Sequence, residues 1–294
     1  MSSSPSSSSS AQAARQHLAD QLREIREDAD LTGRKLAELA GWHGVSKVSK
    51  IEHAARPISP EDLRTWCRIC GVSPGRTEEL LAELRAAAGM WVSYQQLNRR
   101  GLKGAQESVR ERYERVRLMR VYSNKVIPGL LQTEGYTTAA LEAVRHEQTV
   151  EVNDITGAVT ERMERRRVLH RADARFVFLL EESVLWYRTT RPGVHAEQLR
   201  HLLSVMLMPS VLIAIIPRTA DRTITGWGVW PEESFTMTDF AQTNVELVSG
   251  YLTITQPEEV AMYVSAWERL FSIGTIGESA KALILQAIEA LPSE

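Results

Sequence analysis

The stretches GRKLAELAGW (residues 33–42) and VSKVSKIE (residues 45–52) predict two short helices joined by a tight turn. Two helices can cross closely at a steep angle only where the residue between them is small, and Ala37 meets that need. Gly41 suits the turn, because glycine adopts positive φ without steric cost. The pattern predicts a helix-turn-helix, a motif that is typical of DNA-binding proteins.

The second helix of this motif has two unlike faces. Val48 and Ile51, three residues apart, form a stripe that we expect to be buried, which leaves the polar side chains outside. Short polar and cationic side chains suit a helix that lies in the major groove. A purely structural helix pair is the alternative, but the basic flank favours DNA. The predicted DNA-contacting residues are Arg34, Lys35, His43, Val45, Ser46, Lys47, Ser49, Lys50 and Arg56.

Composition narrows the class of protein. The chain has 294 residues, of which 43% are hydrophobic and 24% charged, enough for two folded domains. No apolar run approaches the roughly 18 residues of a membrane span. The start, MSSSPSSSSS, lacks the apolar segment of a secretory signal. We therefore expect a cytoplasmic, nucleoid-associated protein that does not bind membranes.

Charge is distributed unevenly along the chain. Residues 99–125 carry nine Arg or Lys against three Glu, whereas residues 221–294 carry three basic residues against eleven acidic ones. A basic front and an acidic back fit a protein that presents one end to DNA. Taken alone, residues 99–125 also fit a solvated helix face.

The first third of the chain is predicted to be helical. Residues 1–10 are predicted to be a disordered serine-rich tail, and residues 11–89 an all-α DNA-binding domain of five short helices. Arg23 on the first helix and Glu52 at the end of the third are expected to pair across this bundle. Residues 90–103 are predicted to be a connector.

The remaining residues, 104–294, are predicted to form an α+β domain with a small, mostly antiparallel sheet. Helical spacing over 104–122 predicts a helix, while RFVFLL (175–180) and VLIAII (211–216) predict strands. We expect this domain to regulate the protein and to form its oligomer.

The chain resembles a known group of regulators at both ends. Its front, with LAELAG (36–41) and VSKIE (48–52), resembles lambda-repressor-like regulators of the xenobiotic-response-element type. Its back resembles an antitoxin-like C-terminal domain, formerly of unknown function, of a large actinobacterial group of regulators. The matching blocks are IPGLLQTEGY (127–136), ERMER (161–165), LEESVL (180–185), QLRHLL (198–203) and SVLIAIIP (210–217).

This resemblance implies a transcription regulator, often encoded beside a small partner protein. It implies no particular effector. Two departures stand out. The turn at His43-Gly44-Val45 is one residue longer than usual, and Ala55 stands after the third helix where the group often has glycine.

Sequence patterns for catalysis, cofactors or metals are weak. Cys67 and Cys70 lie on one helix face, where they fit core packing better than half of a four-ligand zinc site. No nucleophile–base set or phosphate-binding glycine loop is recognisable. Glu181 and Glu182 end a strand, where they either orient a ligand or face solvent. We therefore predict no catalytic residue, no metal and no cofactor.

An aromatic set in the second domain allows two interpretations. Aromatic walls with a few polar groups are typical of small-molecule pockets, whereas core packing or a dimer interface is the alternative. The candidate ligand-binding residues are Trp186, Tyr187, Trp227 and Trp230, with Phe235 nearby.

Together these patterns predict a sequence-specific, homodimeric transcription regulator. Its second domain is expected to respond to a small molecule or to a small protein encoded next to it. One alternative is an antitoxin-like interaction protein that uses DNA only to regulate itself. Another is an enzyme with a DNA-binding appendage.

Overall fold

The structure is a computed structural model that describes residues 10–89, 91–223, 226 and 228–292. The chain divides into two compact units, one up to Trp91 and one from Val92 onward. Of the predicted serine-rich tail, residues 1–9 lie outside the described residues, and Ser10 begins the first helix. No helix in the described ranges is both long and apolar enough to span a membrane.

The first unit is helical, and its helices begin where the sequence predicts good caps. The Thr32 hydroxyl accepts from the Lys35 backbone N–H at 3.2 Å, and the Ser59 hydroxyl accepts from that of Asp62 at 3.1 Å. Pro60 occupies the first turn, where its missing N–H costs nothing. The helices are α1 (Ser10–Asp28), α2 (Gly33–Leu39), α3 (Ser46–Glu52), α4 (Pro60–Ile69) and α5 (Pro74–Gly89).

The core of the first unit is built around Trp66. This side chain is fully buried, and its indole Nε1 donates to the Leu22 carbonyl at 3.1 Å. Cys67 is buried in the same cluster and Cys70 packs against it. Burial, with the neighbouring Cys67 adding to it, raises the pKa of the Cys70 thiol to about 11. Both cysteines therefore behave as small apolar residues, as predicted.

The ion pair that ties α1 to α3 differs from the predicted one. Arg26, and not Arg23, contacts Glu52, with its Nε 2.5 Å from Oε1 and Nη2 3.2 Å from Oε2. Arg23 instead pairs with Glu27 on its own helix at 2.9 Å. Arg26 also donates to the Leu31 carbonyl at 2.8 Å, so it fixes the loop after α1 as well.

Several residues with positive φ lie beside α2 and α3, among them Gly41 and Ala54. Gly41 has φ +66° at the turn, as the sequence predicts. After α3 the left-handed residue is Ala54, with φ +51°, rather than the Ala55 that the resemblance singles out. An L side chain is strained in this region, because its Cβ approaches the backbone carbonyl oxygen.

Ala54→Gly is expected to raise the free energy of unfolding of the first unit by about 1 kcal/mol, because it relieves this strain. Chemical denaturation of the full chain, followed by tryptophan fluorescence, would measure the change. Ala55→Gly is the matched control, and we expect it to leave stability unchanged or lower it. An Ala54→Gly variant less stable than the Ala55→Gly variant would contradict this assignment.

The second unit contains a mixed sheet, which corrects the predicted small and mostly antiparallel one. The described residues form seven strands in the order β1-β7-β6-β5-β2-β3-β4. β2, β3 and β4 are parallel, and β5, β6 and β7 continue antiparallel from β2. The strands are β1 (Trp91–Ser93), β2 (Leu118–Ser123), β3 (Arg175–Glu181), β4 (Val211–Ile216), β5 (Phe235–Thr238), β6 (Gln242–Glu246) and β7 (Gly250–Ile254).

Helices connect these strands and cover both faces of the sheet. They are α6 (Tyr94–Leu97), α7 (Leu102–Glu107), α8 (Arg110–Arg115), α9 (Glu134–Glu147), α10 (Ile155–Arg165), α11 (Ser183–Trp186), α12 (Pro192–Val205), α13 (Pro257–Ser272) and α14 (Gly277–Glu289), with 3-10 turns at Gly129–Leu131 and Arg166–His170.

Two segments of the second unit differ from their predicted structure. In place of the single helix expected over 104–122, the structure has two short helices, α7 and α8, followed by strand β2. This strand lies between β3 and β5 in the sheet. The predicted connector, 90–103, contains strand β1 and helix α6, and Tyr94 N–H donates to the Ser249 carbonyl at 3.1 Å. From Val92 onward it belongs to the second unit.

Alternating side chains place a hydrophobic cluster on each face of the sheet. Phe176 and Phe178 of β3 join one cluster, which we call the first-face cluster and which also contains Leu199 of α12 and Ile284 of α14. Leu179 lies in the other, the second-face cluster. The two-residue period of a strand accounts for this division. The sheet is therefore buried on both sides, as its apolar strands predict.

Candidate nucleic-acid interface

Helix α3 has one buried face and one exposed face. Val48 and Ile51 are buried in the core of the first unit, as predicted. Ser46, Ser49 and Lys50 are exposed on the same helix. Val45, immediately before it, is 47% exposed although it is apolar. An exposed row of short polar residues with one lysine can approach base edges and phosphates without removing any core contact.

Lys47 is held by the protein, unlike its neighbours on α3. Its Nζ lies 2.7 Å from Oδ1 of Asp62 at the start of α4, and 4.2 Å from the centre of the Trp42 ring. Burial acts to raise the pKa of Asp62, but hydrogen bonds from Lys47 and Ser59 outweigh it and lower that pKa. We call Lys47, Asp62 and Trp42 the α3 brace. Sequence reasoning assigned Lys47 to DNA and missed the brace.

The sequence contains the residues of the α3 brace, but their pattern does not predict that they contact one another. Trp42 directly follows the turn glycine, and Asp62 stands in the first turn of α4, where an acidic residue also stabilises the helix dipole. Only the packing of α4 against the turn shows that one carboxylate serves both roles.

The other predicted DNA-contacting residues surround α3. Arg34 and Lys35 are exposed at the start of α2, where Lys35 Nζ lies 3.2 Å from Glu38 Oε2. Such an exposed pair is weak and can exchange its partner for a phosphate. His43, in the turn, and Arg56, after α3, are exposed as well. These side chains supply cations beside the exposed face of α3.

The strand-end carboxylates are not available to a ligand in this structure. Glu181 and Glu182 are both buried. Arg222 Nη2 lies 2.6 Å from a Glu181 oxygen, and Arg218 Nε lies 3.0 Å from a Glu182 oxygen. The pair therefore closes the end of β3 through internal ion pairs, which corrects the expectation of a solvent-facing strand end.

The described members of the predicted aromatic set lie in different parts of the second unit. Trp186 packs against the first-face cluster, whereas Phe235 is buried in the second-face cluster. Tyr187 and Trp230 are exposed, and Trp227 lies outside the described residues. Because the sheet separates Trp186 from Phe235, they do not share a wall. A ligand role for the exposed members stays a prediction.

Comparison with known families assigns both units. Residues 17–80 match a family described as a helix-turn-helix domain. Residues 107–286, more than half of the chain, match the family described as a domain of unknown function, DUF5753.

The chain belongs to the DUF5753 family.

The DUF5753 match begins at the end of α7 and ends within α14, so it covers strands β2 to β7. The helix-turn-helix match contains α2, α3 and α4. No curated protein matches the chain. The solved structure of TrmBL2, described as an archaeal chromatin protein, aligns over 88% of this chain and 100% of that chain, with a TM-score of 0.34 and 10% identity. The helix-turn-helix domain and the exposed face of α3 indicate a DNA-binding regulator.

Proposed function

We propose that the protein is a sequence-specific transcription regulator that binds double-stranded DNA as a homodimer. The observation that carries this proposal is the exposed face of α3, polar and cationic, on a helix whose buried face is fixed at both ends. Glu52 ties its C-terminal end to α1, and Lys47 ties its N-terminal end to α4. A helix held in this way can present the same side chains to every site that it meets.

In the proposed complex α3 lies in the major groove. Lys50 is placed to reach a guanine edge or a phosphate, and Ser46 and Ser49 to reach bases or phosphates. Of the other predicted contacts, Lys47 approaches DNA from within the α3 brace. The rest, placed to approach the adjacent backbone, are Arg34, Lys35, His43, Val45 and Arg56. A protein that reads genomic DNA in this way works in the cytoplasm, on the nucleoid of the cell that carries it.

The proposal is tested by incubating the full-length protein with fragmented DNA from its own genome and sequencing the retained fragments. We expect a shared palindromic motif, because one helix-turn-helix reads only a few base pairs and a two-fold dimer reads two half-sites. Half-sites are expected about 10 base pairs apart, or a multiple of that spacing. Retention without a shared motif would contradict sequence-specific binding.

Residues 92–294 are expected to carry the dimer interface. The first unit uses its exposed face on DNA, while the second unit exposes several large apolar side chains, namely Leu207, Trp230, Val248 and Met262. Expressed alone, residues 92–294 should have the mass of a dimer in light scattering at micromolar concentration. A monomeric fragment, with a dimeric full-length protein, would move the interface to the first unit.

We further propose that the second unit controls DNA binding through a small molecule or a small partner protein. Such an effector must bind the DNA-competent and DNA-incompetent arrangements with different affinities, since equal affinity shifts neither. Titrating candidate small molecules, and the small protein encoded beside this one, against operator affinity tests the idea. A binder that leaves operator affinity unchanged would contradict a regulatory role for that binder.

A further inference from the structure

The second unit contains a partly open cavity of about 340 Å³, which the sequence did not predict. Helices α6 to α10 form part of its wall, and residues of β2, β5 and β6 form another part. Residues 127–130 lie along it. Cavities of this size hold small organic molecules in many proteins.

Three arginines face this cavity from α8 and α10. Arg162 donates from Nε to Gln106 Oε1 at 3.1 Å and from Nη1 to Gln132 Oε1 at 2.8 Å. Arg165 donates to the Gln106 carbonyl at 3.0 Å and to its Oε1 at 2.9 Å. Arg112 donates to Asn244 Oδ1 at 2.9 Å. We call Arg112, Arg162 and Arg165 the cavity arginines; neutral amides, not carboxylates, hold them.

The cavity arginines lack a neutralising partner in the described part of the chain. None of them forms an ion pair within 4.0 Å there; the nearby Glu161 is bound by Arg110 and acts on Arg165 only from a longer distance. Glu246, the carboxylate among the residues that line the cavity, is exposed and forms no ion pair with them. A cation taken from water without a counter-charge is costly to bury.

Arg165 shows that this site is incompletely satisfied. Arg165 is buried, with only 8% of its surface exposed. Its Nε has no hydrogen-bond partner among the described residues. The Tyr113 ring lies 4.8 Å from its guanidinium carbon and 5.8 Å from that of Arg112. The aromatic face stabilises both cations but does not neutralise them.

Burial also changes the acidity of these groups. It lowers the pKa of Arg162 to about 10, and the charge of Arg165 adds to the effect. The unpartnered Nε of Arg165 and the lowered pKa of Arg162 both show that burying these charges costs free energy. A bound negative charge would reduce that cost. An anion would therefore gain more here than at an exposed arginine.

Part of the remaining lining is apolar, beside neutral amide and hydroxyl side chains and Glu246, so the site suits a molecule with two chemically different ends. Leu102, Met119, Ile127, Leu130 and Leu141 all line the cavity and are buried. An inorganic ion would leave this surface unoccupied, and a neutral hydrocarbon would leave the arginines uncompensated.

We propose that this cavity binds a small amphipathic anion, a carboxylate or phosphate on an apolar body, with the cavity arginines holding the charge. The proposal deepens the proposed function by naming the chemistry of the effector. The effect of the anion on DNA binding rests on that proposed function. Binding of the anion to the cavity does not, because it needs no operator DNA.

The test uses the full-length protein and matched probes in calorimetry and thermal unfolding. The probes are naphthaleneacetate and 1-naphthyl phosphate with neutral naphthaleneacetamide, and octanoate with neutral octanamide. We expect at least one anion to bind and to raise the unfolding temperature, while its neutral counterpart binds at least about tenfold more weakly, because charge-assisted hydrogen bonds are the stronger ones. Comparison of the acetate with the phosphate identifies the preferred head group.

Variants locate the binding site. Arg162→Gln keeps hydrogen-bonding ability but removes a charge, and should weaken anion binding about tenfold or more. Arg112→Gln provides the same test if the first variant does not fold. Arg167→Gln is the matched control, because its side chain is 80% exposed and does not line the cavity; it contacts the Glu164 carbonyl at 3.1 Å and carboxylate at 3.8 Å. This variant should bind the anion like the wild type.

Two results would overturn the proposal: no anion that binds better than its neutral counterpart on either skeleton, or anion binding that survives both Arg162→Gln and Arg112→Gln. Operator affinity measured with and without the bound anion separates the two proposals. Anion binding that leaves operator affinity unchanged would support the site and contradict its role as an effector site.

Discussion

Arg26→Ala is expected to lower the free energy of unfolding of the first unit by about 3–5 kcal/mol, because it leaves the Glu52 carboxylate without its partner. The side chains of Arg26 and Glu52 are only 11% and 9% exposed, and two hydrogen bonds join them. Removing one member of such a pair leaves a charge with little access to water. The variant should also lose DNA affinity, since Glu52 ends α3.

Denaturation of the full-length protein, followed by tryptophan fluorescence, measures this effect as a shift of the transition that Trp42 and Trp66 report for the first unit. Arg23→Ala is the matched control on the same helix. Its ion pair with Glu27 is about half exposed, so water screens it and its loss should change stability little. Equal losses for the two variants would show that the Arg26 pair is not buried in solution.

A second control separates charge from shape. Replacing both partners, as Arg26→Leu with Glu52→Leu, removes the unpaired carboxylate and should recover much of the loss seen with Arg26→Ala. If the double variant is as unstable as the single one, the loss comes from packing rather than from the isolated charge.

The helix-turn-helix was predictable because its signals are local. Caps at Thr32 and Ser59, the turn at Gly41 and the buried stripe of α3 each depend on residues close in sequence. The error over the α1 ion pair has a different origin. Arg23 and Arg26 are three residues apart and occupy neighbouring positions on one helix face. Which of them meets Glu52 depends on how α1 packs, and sequence spacing does not contain that information.

The mixed sheet was harder to predict, because strand β2 is defined by its neighbours. The segment LMRVYS (118–123) follows arginine-rich helical residues and contains Arg120, so its own composition does not distinguish it from a helix. Its register with β3, in which Val121 lies opposite Phe178, joins residues far apart in sequence. Without β2 there is no link between the parallel strands and the antiparallel ones.

The cavity arginines were not predicted for the same reason, since residues far apart in sequence form the site. Arg112 and Arg162 are fifty residues apart, and Asn244, which holds Arg112, lies more than a hundred residues after it, in strand β6. In the sequence each arginine reads as part of a solvated helix face. Only the fold shows that three of them turn inward.

Lys50→Ala is expected to weaken operator binding by about 1–3 kcal/mol without changing stability, because Lys50 is exposed and makes no contact that the first unit needs. If Lys50 reads a guanine, the loss is confined to operators that carry that base pair. If it contacts phosphate, affinity falls evenly across sequences and the salt dependence becomes weaker. Titration of operator and single-base variants at two salt concentrations distinguishes these cases.

Lys47→Ala should behave differently, because Lys47 belongs to the α3 brace. Its loss leaves Asp62, only 21% exposed, without its ion-pair partner, so both stability and operator affinity should fall. Arg85→Ala, an exposed cation on α5, is the matched control and should change neither. The double variant Lys47→Ala with Lys50→Ala should show the largest loss of binding. A double variant that binds operator as tightly as the wild type at physiological salt would contradict the assignment of α3 as the recognition helix.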